Sequence, residues 1–151
     1  MTAPSYGRYM SVQVYFDDLD PYGMLHHVRY GTLVDRAIVA YWTEKGWNSD
    51  LSQSAIKEVM VVRQLSITYQ APITGVCEPV VHFWLEGIGR SSVIYGFRLL
   101  SPDRSLLYAD GRRVSVNIDP VTLAPAPISE ESRRLAQELL VPATAGASAP
   151  R

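Results

Sequence analysis

One cysteine, Cys77, stands in the 151 residues. That excludes an intrachain disulfide framework and a four-thiolate zinc site built by one chain. Cys77 lies among strand-forming residues, where a small apolar filler is the expected role. Excess charge is missing too. The 14 Lys+Arg against 15 Asp+Glu give a formal net charge of −1, which offers nucleic acid no support as the main partner. No apolar run approaches the roughly 20 residues that cross a bilayer, and no charged-then-apolar segment resembles a secretion signal. The expectation is a cytoplasmic protein without a membrane partner. Neither a Gly-x-Gly-x-x-Gly loop nor a Walker loop occurs. A Gly-x-Ser-x-Gly elbow is absent, as is any internal repeat. A nucleotide site and a serine triad are therefore unsupported, and no cofactor is expected.

What is present is a chain that is 47% apolar, long enough to close one core. Tyr30, Leu33, Val34, Ala37, Ile38, Tyr41 and Trp42 recur at i, i+3, i+4, i+7, i+8, i+11 and i+12. This is one face of an α-helix, running from Val28 or Tyr30 to Lys45. Val39 and Ala40 widen the face, so the helix is expected to be wrapped rather than rested upon. Gly46 fits a left-handed stop. Alternation predicts strands over Tyr9–Phe16, Val59–Ala71, Glu78–Glu86, Ser91–Leu100 and Leu106–Ile118. Gly87-Ile88-Gly89-Arg90 is expected to form a turn or bulge, and Gly111 a kink. Ser129 precedes two glutamates and reads as the N-cap of a short helix. Short turns favour antiparallel pairing, so the fold class is α+β: an antiparallel sheet of about five strands and one long helix. Residues 1–140 form one domain, and 141–151 are an Ala/Pro/Ser-rich tail expected to be disordered. His82 and Trp84 fall on the sheet face away from the core. They are expected at a surface that meets another subunit.

The chemistry gathers just before the long helix. Asp18 and Asp20 lie two apart in an extended segment and project to one side. Pro21 keeps Asp20 extended. The helix start offers unpaired N–H groups able to hold a developing negative oxygen. A carboxylate beside such donors suffices for acyl transfer to water, with the carboxylate as general base or nucleophile. The same Asp-x-Asp pattern also serves plain turn and cap chemistry. Asp18, Asp20, His26 and His27 are all metal-ligand types. Adjacent histidines rarely converge on one ion, however, and no second cluster completes a shell, so no metal is expected.

The segment Tyr15-Phe16-Asp17-Asp18-Leu19-Asp20-Pro21-Tyr22-Gly23-Met24-Leu25-His26-His27-Val28-Arg29-Tyr30 resembles the signature of the 4-hydroxybenzoyl-CoA thioesterase family, which has the hotdog fold. Ile67 to Ile73, Gly89 to Ser92 and Ala109 to Val114 resemble its later strands, and the likeness covers about residues 8 to 140. The resemblance implies a sheet wrapped round one helix, with the active site between two subunits of a dimer or tetramer. It implies a thioester of coenzyme A or acyl carrier protein as substrate. Asp20 matches the catalytic carboxylate, and the N–H near His27 matches the group that polarises the carbonyl. His27 also matches a histidine of the Tol-Pal-associated bacterial branch, so Asp20 and His27 are the catalytic candidates. Gly23, His26, Tyr30, Arg90 and Arg113 are the substrate-binding candidates, the two arginines for coenzyme A phosphates. Asp18 matches a loop organiser. Two rivals share the fold: a non-catalytic acyl-CoA-binding protein, and a hydratase or dehydratase.

Overall fold

The structure is a computed structural model that describes residues 5–142. Five strands, β1 (Arg8–Ser11), β2 (Val59–Tyr69), β3 (Val80–Ile88), β4 (Ser92–Leu100) and β5 (Leu107–Ile118), form one antiparallel sheet in the order β1-β3-β4-β5-β2. The sheet curls round helix α1 (Tyr30–Glu44), which makes this a hotdog fold. A second helix, α2 (Glu130–Leu135), is capped by Ser129, whose side chain accepts from the Ser132 N–H. Much of the C-terminal tail, residues 143–151, lies outside the described residues.

The apolar stripe of α1 becomes the core. Tyr30, Leu33, Val34, Ala37, Ile38 and Tyr41 are buried against Phe83, Leu85, Phe97, Leu99 and Ala109 of the sheet. Val39, the proposed widening of that face, is instead 46% exposed. Gly46 ends the helix at φ +106°, conformational space that side chains disfavour.

Three expectations change in detail. The first strand stops at Ser11, because Pro79 stands opposite Val12. Val12 N–H donates to the Pro79 carbonyl, but proline has no N–H to return the bond. Gly111 makes no kink; it keeps regular register with Ile67 and Phe97. A Cβ there would come within 2.0 Å of the Ser66 carbonyl oxygen, so close packing is what requires glycine. The expected turn does fall at Gly89 and Arg90, with a bulge just before it between Leu85 and Gly87.

His82 is the third correction. Alternation places it on the side away from α1, yet it is fully buried. The chain's own start covers it. Tyr9 stacks on the ring at 4.0 Å, the Tyr6 carbonyl lies 2.8 Å from Nε2, and Arg98 donates to Nδ1. An imidazole accepting at Nδ1 carries its proton on Nε2 and is neutral. Burial, with the charges of Arg98 and Arg104, lowers its pKa from 6.5 to about 4, against the Tyr6 carbonyl, which raises it. Between pH 6.5 and 4 the unfolded chain holds a proton here that the folded chain refuses. Stability is full above this window and falls as pH drops through it, by about 3 kcal/mol in total. Urea unfolding of wild type and His82→Gln across the window checks this. The variant should lack that part of the slope, and equal slopes would contradict it.

Candidate active site

The loop between β1 and α1 is built around its two aspartates, which take different roles. Asp18 is 2% exposed. Its Oδ2 accepts from the Tyr15 N–H at 2.8 Å and from Arg36 Nη1 at 3.2 Å. Its own carbonyl accepts from the His26 N–H. Burial alone would raise this carboxyl. The Tyr15 N–H and the charges of Arg36 and Arg29 outweigh burial and hold it below the ordinary carboxylate range. Asp18 thus ties the loop to α1, the organising part the resemblance gives it.

Asp20 stays half-buried at the loop's open side. Oδ1 accepts from the N–H groups of Tyr22 and Met24, at 2.8 and 3.1 Å. The Asp20 carbonyl accepts from the Gly23 N–H, and Gly23 turns at φ +76°. Among the described residues nothing bonds to Oδ2. One oxygen therefore fixes the carboxylate and the other carries no hydrogen bond.

His26 and His27 follow. The His26 ring accepts from the Val28 N–H and caps the 3-10 turn His27–Arg29 that leads into α1. The two imidazoles stack at 4.8 Å. The N–H groups of His26, Val28, Arg29 and Tyr30 all have acceptors. The His27 N–H has none among the described residues, and His27 is exposed. An open N–H at a helix entrance is a donor for an oxyanion.

Tyr30 and Tyr69 form the floor. Their rings meet edge to face at 4.8 Å, and the Tyr69 hydroxyl donates to the His27 carbonyl at 3.1 Å. Burial raises the Tyr30 phenol pKa, and the Asp20 charge adds to that, so Tyr30 stays protonated. The structure thus gathers Asp20, Gly23, His26, His27 and Tyr30 at one place. It adds Tyr69, whose side chain in an alternating strand gave no chemical signal, and Arg36, which the helical stripe hid.

The two arginines lie elsewhere. Arg90 is exposed in the β3–β4 turn. Arg113, on β5, pairs with Asp35 of α1, its guanidinium 5.2 Å from the centre of the Tyr95 ring. Among the described residues no group of three or more His, Cys, Asp or Glu could hold a metal ion, and no helix is long and apolar enough to cross a membrane.

A curled antiparallel sheet wrapped round one long helix defines the hotdog fold. Residues 14–137 match the sequence model of the Thioesterase-like superfamily, and the chain belongs to that family. Among solved structures it is similar to the PA5185 protein of Pseudomonas aeruginosa, at 25% identity over 89% of this chain and 92% of that one, TM-score 0.79. It is similar in fold to a 1,4-dihydroxy-2-naphthoyl-CoA thioesterase from Synechocystis, at 14% identity over 87% and 96% of the two chains, TM-score 0.76. A DHNA-CoA thioesterase from Staphylococcus aureus gives 20% identity over 79% and 78%, TM-score 0.69. No curated protein matches. Family membership supports thioester hydrolysis as the class of reaction.

Proposed function

We propose that the protein hydrolyses an acyl thioester of coenzyme A or acyl carrier protein, with Asp20 as general base or nucleophile. The observation that carries this is the free Oδ2 of Asp20 in the same loop as the acceptor-free His27 N–H. The thioester oxygen takes the His27 N–H as charge develops on it. Asp20 either draws a proton from the water that attacks the carbonyl, or attacks the carbonyl itself to form an acyl anhydride that water then cleaves; in both routes the C–S bond breaks, the thiolate leaves and the acid is released. The His27 ring orients the substrate or assists proton transfer. Gly23, His26 and Tyr30 line the approach, and Arg90 and Arg113 are the candidates for the coenzyme's phosphates. The test is a panel of acyl thioesters on both carriers, followed by free thiol. Hydrolysis of at least one acyl series supports the reading. Binding without thiol release favours a non-catalytic acyl-CoA-binding protein, and a change in enoyl absorbance favours a hydratase.

A second observation favours a purely structural Asp20. Its two backbone bonds are those of an Asx turn. Asparagine preserves such a turn, so Asp20→Asn separates the two readings.

The working unit is a homodimer, or a dimer of dimers, joined along β2. Among the described residues β2 pairs on one side only, with β5. Met60, Val61, Val62, Leu65 and Tyr69 are exposed along it. An open apolar edge invites a second strand, and Tyr69 carries that seam to the site. Val61→Lys should give monomers by light scattering and lower turnover at least tenfold. A variant that stays oligomeric and active would count against this seam.

A further inference from the structure

The His27 N–H sits in a slight piece of structure. His27–Arg29 is a single 3-10 turn, a form with poorer hydrogen-bond geometry than an α-helix. Its internal bonds are few. The Arg29 N–H donates to the His26 carbonyl at 2.8 Å, the Tyr30 N–H donates to the His27 carbonyl, and the Val28 N–H donates to the His26 ring at 3.3 Å. A donor stabilises developing charge only where it is held in place beforehand. What fixes this turn against its surroundings therefore decides where the His27 N–H points.

Besides the run of the turn into α1, two hydrogen bonds fix it among the described residues. The His26 N–H donates to the Asp18 carbonyl, in the loop that carries Asp20. The Tyr69 hydroxyl donates to the His27 carbonyl at 3.1 Å, from the last residue of β2. Arg29 adds an ion pair to Asp18 at 4.0 Å, again on the loop side. Tyr69 is thus the sheet's hydrogen-bonded hold on the turn. Tyr69 is itself well placed to serve as one. Its backbone pairs with Ala109 of β5, and its ring meets the buried Tyr30 edge to face at 4.8 Å. A phenol has one proton, and here it goes to the His27 carbonyl. It is not available as an acid at the substrate, so what Tyr69 supplies is aim.

We propose that Tyr69 is a positioning residue: its hydroxyl fixes the turn that presents the His27 N–H, and so sets the strength of the oxyanion contact without touching the substrate. This rests on the hydrolase reading above and adds a residue to it.

Tyr69→Phe keeps the ring against Tyr30 and removes only the hydroxyl. Across the acyl-CoA panel kcat should fall about tenfold, part of the roughly hundredfold or more lost when such a donor is deleted outright. KM should move less than about twofold, because ground-state binding is retained. The pH–rate profile should keep its shape, because Asp20 is unchanged. A hydroxyl that served folding alone would lower the melting temperature and leave kcat at the wild-type value, and that result would overturn the proposal. So would a raised KM at wild-type kcat. Amide exchange followed by NMR needs no substrate. The Arg29 and Tyr30 N–H groups should exchange at least about tenfold faster in Tyr69→Phe as the turn opens more often, with Leu33 to Ile38 of α1 unchanged. Wild-type exchange throughout the turn would overturn the proposal whatever the kinetics. Wild-type protein that cleaves no member of the panel removes the hydrolase reading, and the exchange rates still decide whether Tyr69 holds the turn.

Discussion

Asp20→Asn is expected to lower thioester hydrolysis about a thousandfold, within the range for losing a positioned acid-base or nucleophilic group. Folding should be unaffected. The asparagine side-chain carbonyl still accepts from the Tyr22 and Met24 N–H groups that now hold Oδ1, so the turn survives. What disappears is the anionic character of Oδ2, which the loop leaves unbonded. Asparagine neither takes a proton from water nor attacks a carbonyl under these conditions. Steady-state kinetics and a melting curve on the same preparation check both halves. Activity within a fewfold of wild type would make Asp20 a turn residue and nothing more.

Asp18→Ala is the second large effect, and it works through the fold. The change removes a carboxylate that is almost fully buried and bonded to Tyr15 and Arg36. It leaves the Tyr15 N–H without its acceptor and the inner end of Arg36 without a counter-charge. Breaking a buried pair in this way costs about 3–4 kcal/mol. Activity should fall as well, because the Asp18 side chain anchors the loop that carries Asp20 to Arg36 of α1. Asp18→Asn keeps an acceptor for Tyr15 and should recover part of the stability. The pH behaviour has a definite sign. A carboxyl whose folded pKa is depressed contributes above its ordinary value of 3.8 and loses that contribution as pH falls through the folded value. Asp18 therefore weakens the fold only in strong acid, below the window in which His82 acts. Denaturant midpoints for the two variants at neutral pH and at pH 3 check this. An Asp18→Ala protein as stable as wild type would show that the loop is held by other contacts.

The parts of this molecule legible in the sequence are those set by local periodicity. The spacing from Tyr30 to Tyr41 gives α1 and its buried face because each of those side chains meets the same sheet. Ser129 marks the start of α2 because an N-cap is a local bond. The candidate loop is legible for the same reason, since Asp18 to Tyr30 is one continuous run. Long-range arrangement is not. Alternation shows which side of β3 carries His82, but the lid over it comes from Tyr6, Tyr9 and Arg98. Strand order is also invisible locally. β2 and β3 follow each other in the chain, yet β2 pairs with β5 at the far edge. Arg36 went unread because nothing near it in sequence announces the buried Asp18 it reaches.

The hydrolase reading is tested most directly by counting products. Wild-type protein mixed with a large excess of acyl-CoA should release free thiol and free acid in equal amounts, many equivalents of each per chain. Acyl-CoA that binds and is recovered intact, across short, long, aromatic and hydroxylated acyl groups, would contradict it.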